Sequence, residues 1–308
     1  MAPAVVGAKH SMKTPVLAAV LIGLMVYSTP TLAQRKPPLH TDQVRVVYVP
    51  PKEPKHQPIY DALRERGTLE VLRTLLSPFR LPRQLTLEVK GCDGKVDAYY
   101  EDDTATLCYE YVELIQQHAP KVGTPGGVTP ADAMVGAIID TFLHEAGHAV
   151  IDMLEVPVLG REEDAADFFS AYILVQFAPD DAHRLIQGVG FMMASEAKEA
   201  LVKPQTLKTF AGAHGLPAQR HYNLLCIAYG SNPKTFGNAV LRGMLPKERA
   251  DGCADEYKML QRAFQKLILP YVDEALLTKA RTQVRFNWGP LVPSTDDLDA
   301  PPLLRIEP

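Results

Sequence analysis

The chain has 308 residues, 46% of them apolar, with a formal net charge of −4 and a pI near 6.1. That is enough apolar material for one large domain or two small ones, and an acidic balance of this size leaves no electrostatic footprint for nucleic acid. A mean hydropathy of −0.07 fits a soluble protein, and the 26 prolines gather toward the two ends, which predicts loose termini.

The N-terminus reads as a secretory signal over residues 1–33. Lys9 and Lys13 supply positive charge ahead of the apolar run Pro15 to Tyr27, which is short for a membrane span of about 20 residues. Thr31-Leu32-Ala33 offers small residues for cleavage after Ala33, and Met12-Lys13 directly before the run makes a second candidate start. An uncleaved membrane anchor is the competing reading. Export to the periplasm or medium follows from the signal, with no membrane attachment after cleavage.

Residues 34–58 are a Pro- and Lys-rich linker around one β-branched strand, Val44 to Val49. Leu63, Leu69, Leu72, Leu75 and Leu76 recur at helical spacing and predict one helix from Ile59 to Leu76. Leu85 to Val89 alternates as a strand, and Cys92-Asp93-Gly94 is a turn. Val96 to Tyr100 and Thr104 to Tyr109 predict two more strands around Glu101-Asp102-Asp103. A helix beginning at Tyr111 then leads to the Gly/Pro loop Pro120 to Pro130.

The apolar segment from Ala131 to Leu154 is long enough for a helix of about six turns and contains His144-Glu145-Ala146-Gly147-His148. Four residues make roughly one turn, so His144 and His148 share a face. Two imidazoles so placed can ligate zinc, while the adjoining carboxylate, Glu145, takes a proton from a metal-activated water. Polar positions recur at Asp140, His144, His148 and Asp152, and no Lys or Arg occurs between Val122 and Gly160. A solvated stripe usually carries Lys or Arg. A helix apolar almost all round is buried, and buried charge needs a partner such as a cation.

Beyond the Val156-Pro157 break, a second helix opens with Arg161-Glu162-Glu163-Asp164 and runs to about Phe177. Ile151 and Leu154 stand where a metzincin would carry Gly and His, which excludes that pattern. Glu163 and Asp167 are four apart on one face: Glu163 is the expected third ligand, and Asp167 the carboxylate that orients a ligating imidazole. Glu162 and Asp164 remain alternatives to Glu163. An acidic first turn favoured by the helix dipole accounts for Glu162 and Glu163 but not for Asp167, one turn further in.

The second half reads as helical: Asp181 to Leu201, with Met192 and Met193 as core filler, then Pro217 to Tyr229, Pro233 to Leu245 and Lys247 to Ile268. Residues 287–308 are rich in Pro and Asp and are expected to be a flexible tail, leaving 59–286 as the folded domain. Cys92, Cys108, Cys226 and Cys253 lack the close spacing of a Cys zinc site. In an exported chain they predict two disulfides, and the sequence-local pairing is Cys92–Cys108 with Cys226–Cys253. His10, His40, His56, His118 and His183 have no ligand spacing and are read as surface residues.

The pairing of His144-Glu145-Ala146-Gly147-His148 with Glu163-x-x-x-Asp167 resembles the gluzincin-type zinc peptidases. With Cys92 to Tyr109, Arg161 to Ala171 and Gln219 to Cys226, the chain resembles an exported bacterial family described as "putative metallopeptidase". The resemblance implies an α+β, zincin-like fold: a small mixed sheet packed on the active helix, then a mostly helical second half. It implies one zinc ion per chain and hydrolysis of peptide or protein substrates. Candidates for an oxyanion donor are His214, Arg220, His221 and Tyr222, and the resemblance favours the Arg220–Tyr222 segment, with Tyr222 preferred as a catalytic residue. An exposed edge at Val96 to Tyr100 could hold an extended peptide by strand addition. Two other function classes share these features: an exported zinc-binding protein without catalysis, and a zinc amidase acting on cell-wall amides.

Overall fold

The computed structural model describes residues 43–124, 126–204, 206–286, 288–289 and 304–306. The expected signal, its cleavage site, both candidate starts, residues 34–42 of the linker, His10 and His40 lie outside them. No helix among the described residues is long and apolar enough to cross a membrane.

Strand β1 (Val44–Tyr48) opens the fold and pairs in parallel with β2 (Leu85–Lys90). Between them run α1 (Gln57–Glu65) and α2 (Thr68–Leu76). These two helices replace the single helix expected from Ile59 to Leu76. Gly67 sits at φ +61°, a left-handed conformation that ends a helix and that glycine adopts at low cost. The apolar period continues across the break, so spacing alone could not reveal it. Leu63, Leu69, Leu72, Leu85 and Leu87 are wholly buried, each worth about 1.5–3 kcal/mol relative to exposure.

Strands β3 (Ala98–Glu101) and β4 (Thr104–Cys108) form an antiparallel hairpin. Its two turn residues, Asp102 and Asp103, both have positive φ, as the favoured two-residue hairpin turn requires. Because β4 also pairs in parallel with β2, the sheet order is β1-β2-β4-β3 and β3 is an edge strand. Helix α3 (Tyr109–His118) follows, and the loop at 119–129 leads into α4 (Pro130–Met153). Helix α4 packs on β3 and β4 with one side and on α5 (Glu162–Leu174) and α6 (Pro179–Leu201) with others. That all-round burial explains its apolar composition.

The remainder is helical: α7 (Pro217–Ser231), the short α8 (Pro233–Phe236), α9 (Asn238–Leu241) and α10 (Lys247–Ala250), then α11 (Cys253–Leu267) and α12 (Glu274–Gln283). The expected helices at 233–245 and 247–268 are each divided, at Gly237 and at Asp251-Gly252. Strand β5 (Val284–Phe286) pairs antiparallel with β6 (Leu304–Ile306), so the tail expected to be flexible contributes a strand. Cys92 is bonded to Cys108 and Cys226 to Cys253, the sequence-local pairing.

One expectation about the histidines is corrected. His56 is buried, 1% exposed, because a 3-10 turn at Pro54–His56 folds it against the Tyr109 ring and 3.4 Å from Glu113. His118 and His183 are half-buried rather than free on the surface: His118 pairs with Glu199 at 3.2 Å and His183 stacks on Phe236.

Candidate metal centre

Helix α4 begins at a capping box. The Thr129 hydroxyl accepts from the Asp132 N–H at 3.1 Å, and the Thr129 N–H donates to the Asp132 carboxylate at 2.8 Å. Arg184 of α6 holds the same carboxylate at 2.6 Å, so the start of α4 is tied to its neighbour. From this fixed start His144 and His148 emerge on one face, their Nε2 atoms 3.3 Å apart.

Helix α5 crosses α4 closely at Gly147. A Cβ there would lie 3.1 Å from the Cα of Ala166, itself fully buried. The missing side chain lets α5 bring Glu163 to the histidines: its Oε2 lies 3.2 Å from both Nε2 atoms. The two imidazoles and this carboxylate offer ligand atoms all within 4.8 Å of one another. Glu162 instead sits on the far side of the His148 ring, 2.7 Å from Nδ1, and Asp164 pairs with Arg161. Of the three acids at the start of α5, Glu163 is the one at the shared focus.

One turn on, the Asp167 carboxylate meets His144 Nδ1 at 2.9 Å. Arg220 of α7 donates twice to that carboxylate, Nε at 2.8 Å and Nη2 at 2.7 Å. Burial alone would raise the Asp167 carboxyl, but the guanidinium and the His144 ring hold it well below the usual carboxylate range. A carboxylate can only accept, so Nδ1 of His144 carries the proton and Nε2 presents a lone pair toward the focus. Glu162 does the same for His148. In the absence of a cation that lone pair takes a proton instead: burial disfavours charge on His144, yet Asp167 and Glu163 push its ring up to about 9. The His144 contact is likewise the main reason the Glu163 carboxyl is pulled down to about 2.

Glu145 is buried, 6% exposed, and makes no hydrogen bond or ion pair with any described residue. Burial raises its carboxyl above the ordinary value, with Glu163 and Asp97 adding to the shift and the two histidines opposing it. It lines two adjoining cavities, of about 200 and 490 Å³. Edge strand β3 forms one wall of both, and His144 and His214 reach both. The site is therefore an open cleft with an unpartnered carboxylate beside three convergent ligand atoms.

His214, in the loop before α7, stacks on His144 and lies 2.9 Å from Glu163 Oε2. Tyr222 lines neither cavity. Two residues along a helix turn the side chain by about 200°; with Arg220 facing Asp167, Tyr222 points away and is 38% exposed. His221 also lies outside the cleft. Cys92, Cys108 and Glu110 form a second acid–sulfur cluster, but the sulfurs are bonded to each other. Glu110 accepts the N–H groups of Cys92 and Gly94 and so fixes the turn before β3.

The donor set fits a catalytic zinc site: two imidazole nitrogens and one carboxylate oxygen, each imidazole backed by a carboxylate. Residues 48–268 match the sequence profile of a protein family described as "Putative metallopeptidase". No curated protein and no solved structure matches the chain.

Proposed function

The chain belongs to this metallopeptidase family, and on that premise we propose that it is a zinc peptidase of the gluzincin type, with His144, His148 and Glu163 as ligands and Glu145 as general base. The observation that carries the reading is the single focus shared by His144 Nε2, His148 Nε2 and Glu163 Oε2, next to a buried carboxylate with no partner of its own. A zinc ion held there supplies two things, a lowered pKa for water and a polarised scissile carbonyl.

The chain's own residues do the rest. Glu145 accepts a proton from the attacking water and returns it to the departing amine, and burial raises its basicity toward the working range. Asp167, held by Arg220, fixes the tautomer of His144. For the donor to the developing oxyanion, the cleft favours His214 over Tyr222. The free edge of β3 pairs with an extended peptide by strand addition and lays it along α4. Two disulfides suit an oxidising compartment and support export.

The test is Glu145→Gln in purified, zinc-loaded protein. The variant should keep its zinc and lose peptide hydrolysis by about 100-fold or more. Cleavage at the wild-type rate would end the general-base assignment. Among the alternatives, a purely structural zinc gives no use to an unpartnered buried Glu145. Digestion of cell-wall amides with no cleavage of peptides would favour the amidase.

A further inference from the structure

The smaller cavity beside Glu145 has a chemical character of its own. Along α6, Val189, Met192 and Met193 form a buried apolar wall. One turn further, the same face ends in Glu196, half-buried and opening into the cavity. Glu196 makes no hydrogen bond or ion pair with any described residue. The cations that act on it, Arg220 and His118, are both engaged elsewhere: Arg220 holds Asp167 with two bonds and His118 pairs with Glu199. Besides Glu145, one more carboxyl from α4 lines the cavity, the half-buried Asp140, and it is satisfied by the Ser170 hydroxyl at 2.6 Å. Asp97, exposed at the mouth, adds a second negative charge.

We propose that this cavity is a substrate subsite for a lysine or arginine side chain next to the scissile bond, with Glu196 as the specificity-determining residue. The inference rests on the peptidase reading of the adjoining cleft. A basic side chain has an apolar stem and a charged head. The stem lies along the methionine wall and the head meets the waiting carboxylate. A leucine in the same place would strip water from Glu196 and leave it unpaired, and a glutamate would be repelled by it and by Asp97.

Two measurements test this. In the first, zinc-loaded wild type and Glu196→Gln digest a mixed peptide library, and cleaved bonds are read by mass spectrometry. Wild type should concentrate Lys and Arg at one position flanking the bond. Glu196→Gln should lower kcat/KM for those peptides by about tenfold or more while leaving peptides with neutral side chains there unchanged, and Glu196→Lys should shift preference to acidic residues. In the second, alanine pentapeptide amides carrying one Lys, Leu or Glu at each position are titrated calorimetrically into Glu145→Gln with Glu196 intact or changed to Gln. One Lys position should bind about tenfold tighter only when Glu196 is present. Unchanged lysine affinity in Glu196→Gln, or tighter binding of the leucine series, would overturn the subsite. Lysine-selective binding without turnover of any peptide would uphold the subsite and refute the peptidase reading instead.

Discussion

Asp167 is the residue through which α5 and α7 both act on His144, and Asp167→Asn isolates that action. The amide preserves shape but offers one acceptor where the carboxylate offers two. It must turn its NH₂ toward either His144 Nδ1–H at 2.9 Å or Arg220 at 2.7–2.8 Å, and both are donors. Losing the carboxylate behind a ligating imidazole typically costs 10- to 100-fold in metal affinity, or about 1.4–2.7 kcal/mol. Arg220 would also lose its counter-charge. Breaking a fully buried pair costs roughly 3–5 kcal/mol. The Arg220 side chain is 20% exposed and keeps a neutral acceptor, so about 2–3 kcal/mol is the reasonable share. Zinc competition against a chromogenic chelator should show the affinity loss. Thermal unfolding of the metal-free protein should show a fall of roughly 4–12 °C. Zinc affinity equal to wild type would refute the claim that Asp167 sets the His144 tautomer, whatever the melting temperature.

The remaining predictions bear on other parts of the cleft. His214→Ala should lower kcat by about 100-fold with zinc content and KM little changed; a rise in KM alone would reassign it to substrate binding. Glu162→Gln should let a chelator strip zinc several-fold faster, because the carboxylate behind His148 is lost while that behind His144 stays; an unchanged stripping rate would count against Glu162. Asp140 has its folded carboxyl raised from 3.8 to about 6, mainly by burial. A raised acid costs stability as pH climbs from the unfolded value through the folded one, so wild type should lose stability between about pH 4 and 6. Asp140→Asn keeps an acceptor for Ser170 and should lack that loss, gaining on the order of 1–3 kcal/mol at pH 7 over its standing at pH 4. Denaturant titrations at both pH values check this, and a constant difference would sink it.

Much of this site is written in helical spacing. His144 and His148 stand one turn apart, as do Glu163 and Asp167, and a period of 3.6 turns each pair to a common face without knowledge of the fold. The individual strands and the helical second half were legible for the same reason, as alternation and period, whereas the mixed pairing of the sheet came only from the family resemblance. What spacing does not carry is phase relative to another element. Tyr222 was preferred to Arg220 without that phase, which only α7 supplies by turning Arg220 onto Asp167. His214 sits in an irregular loop, which has no period to read. Gly147 was silent as well: its lack of a side chain matters only because Ala166 lies across from it. The breaks at Gly67, Gly237 and Gly252 interrupt helices whose apolar pattern runs on, and His56 was buried by a turn too short to leave a signal.

The two imidazoles are backed unequally. Asp167 is enclosed and clamped by Arg220, whereas Glu162 has a side chain 53% exposed to solvent. One side of the centre is therefore a fixed wall and the other a wet doorway, where water can compete for the orienting bond and the His148 ring can swing without disturbing the core. A cation could enter and leave by that doorway in the fully folded protein. A chain that folds before it meets its metal could then be charged afterward, with the fixed wall waiting in register.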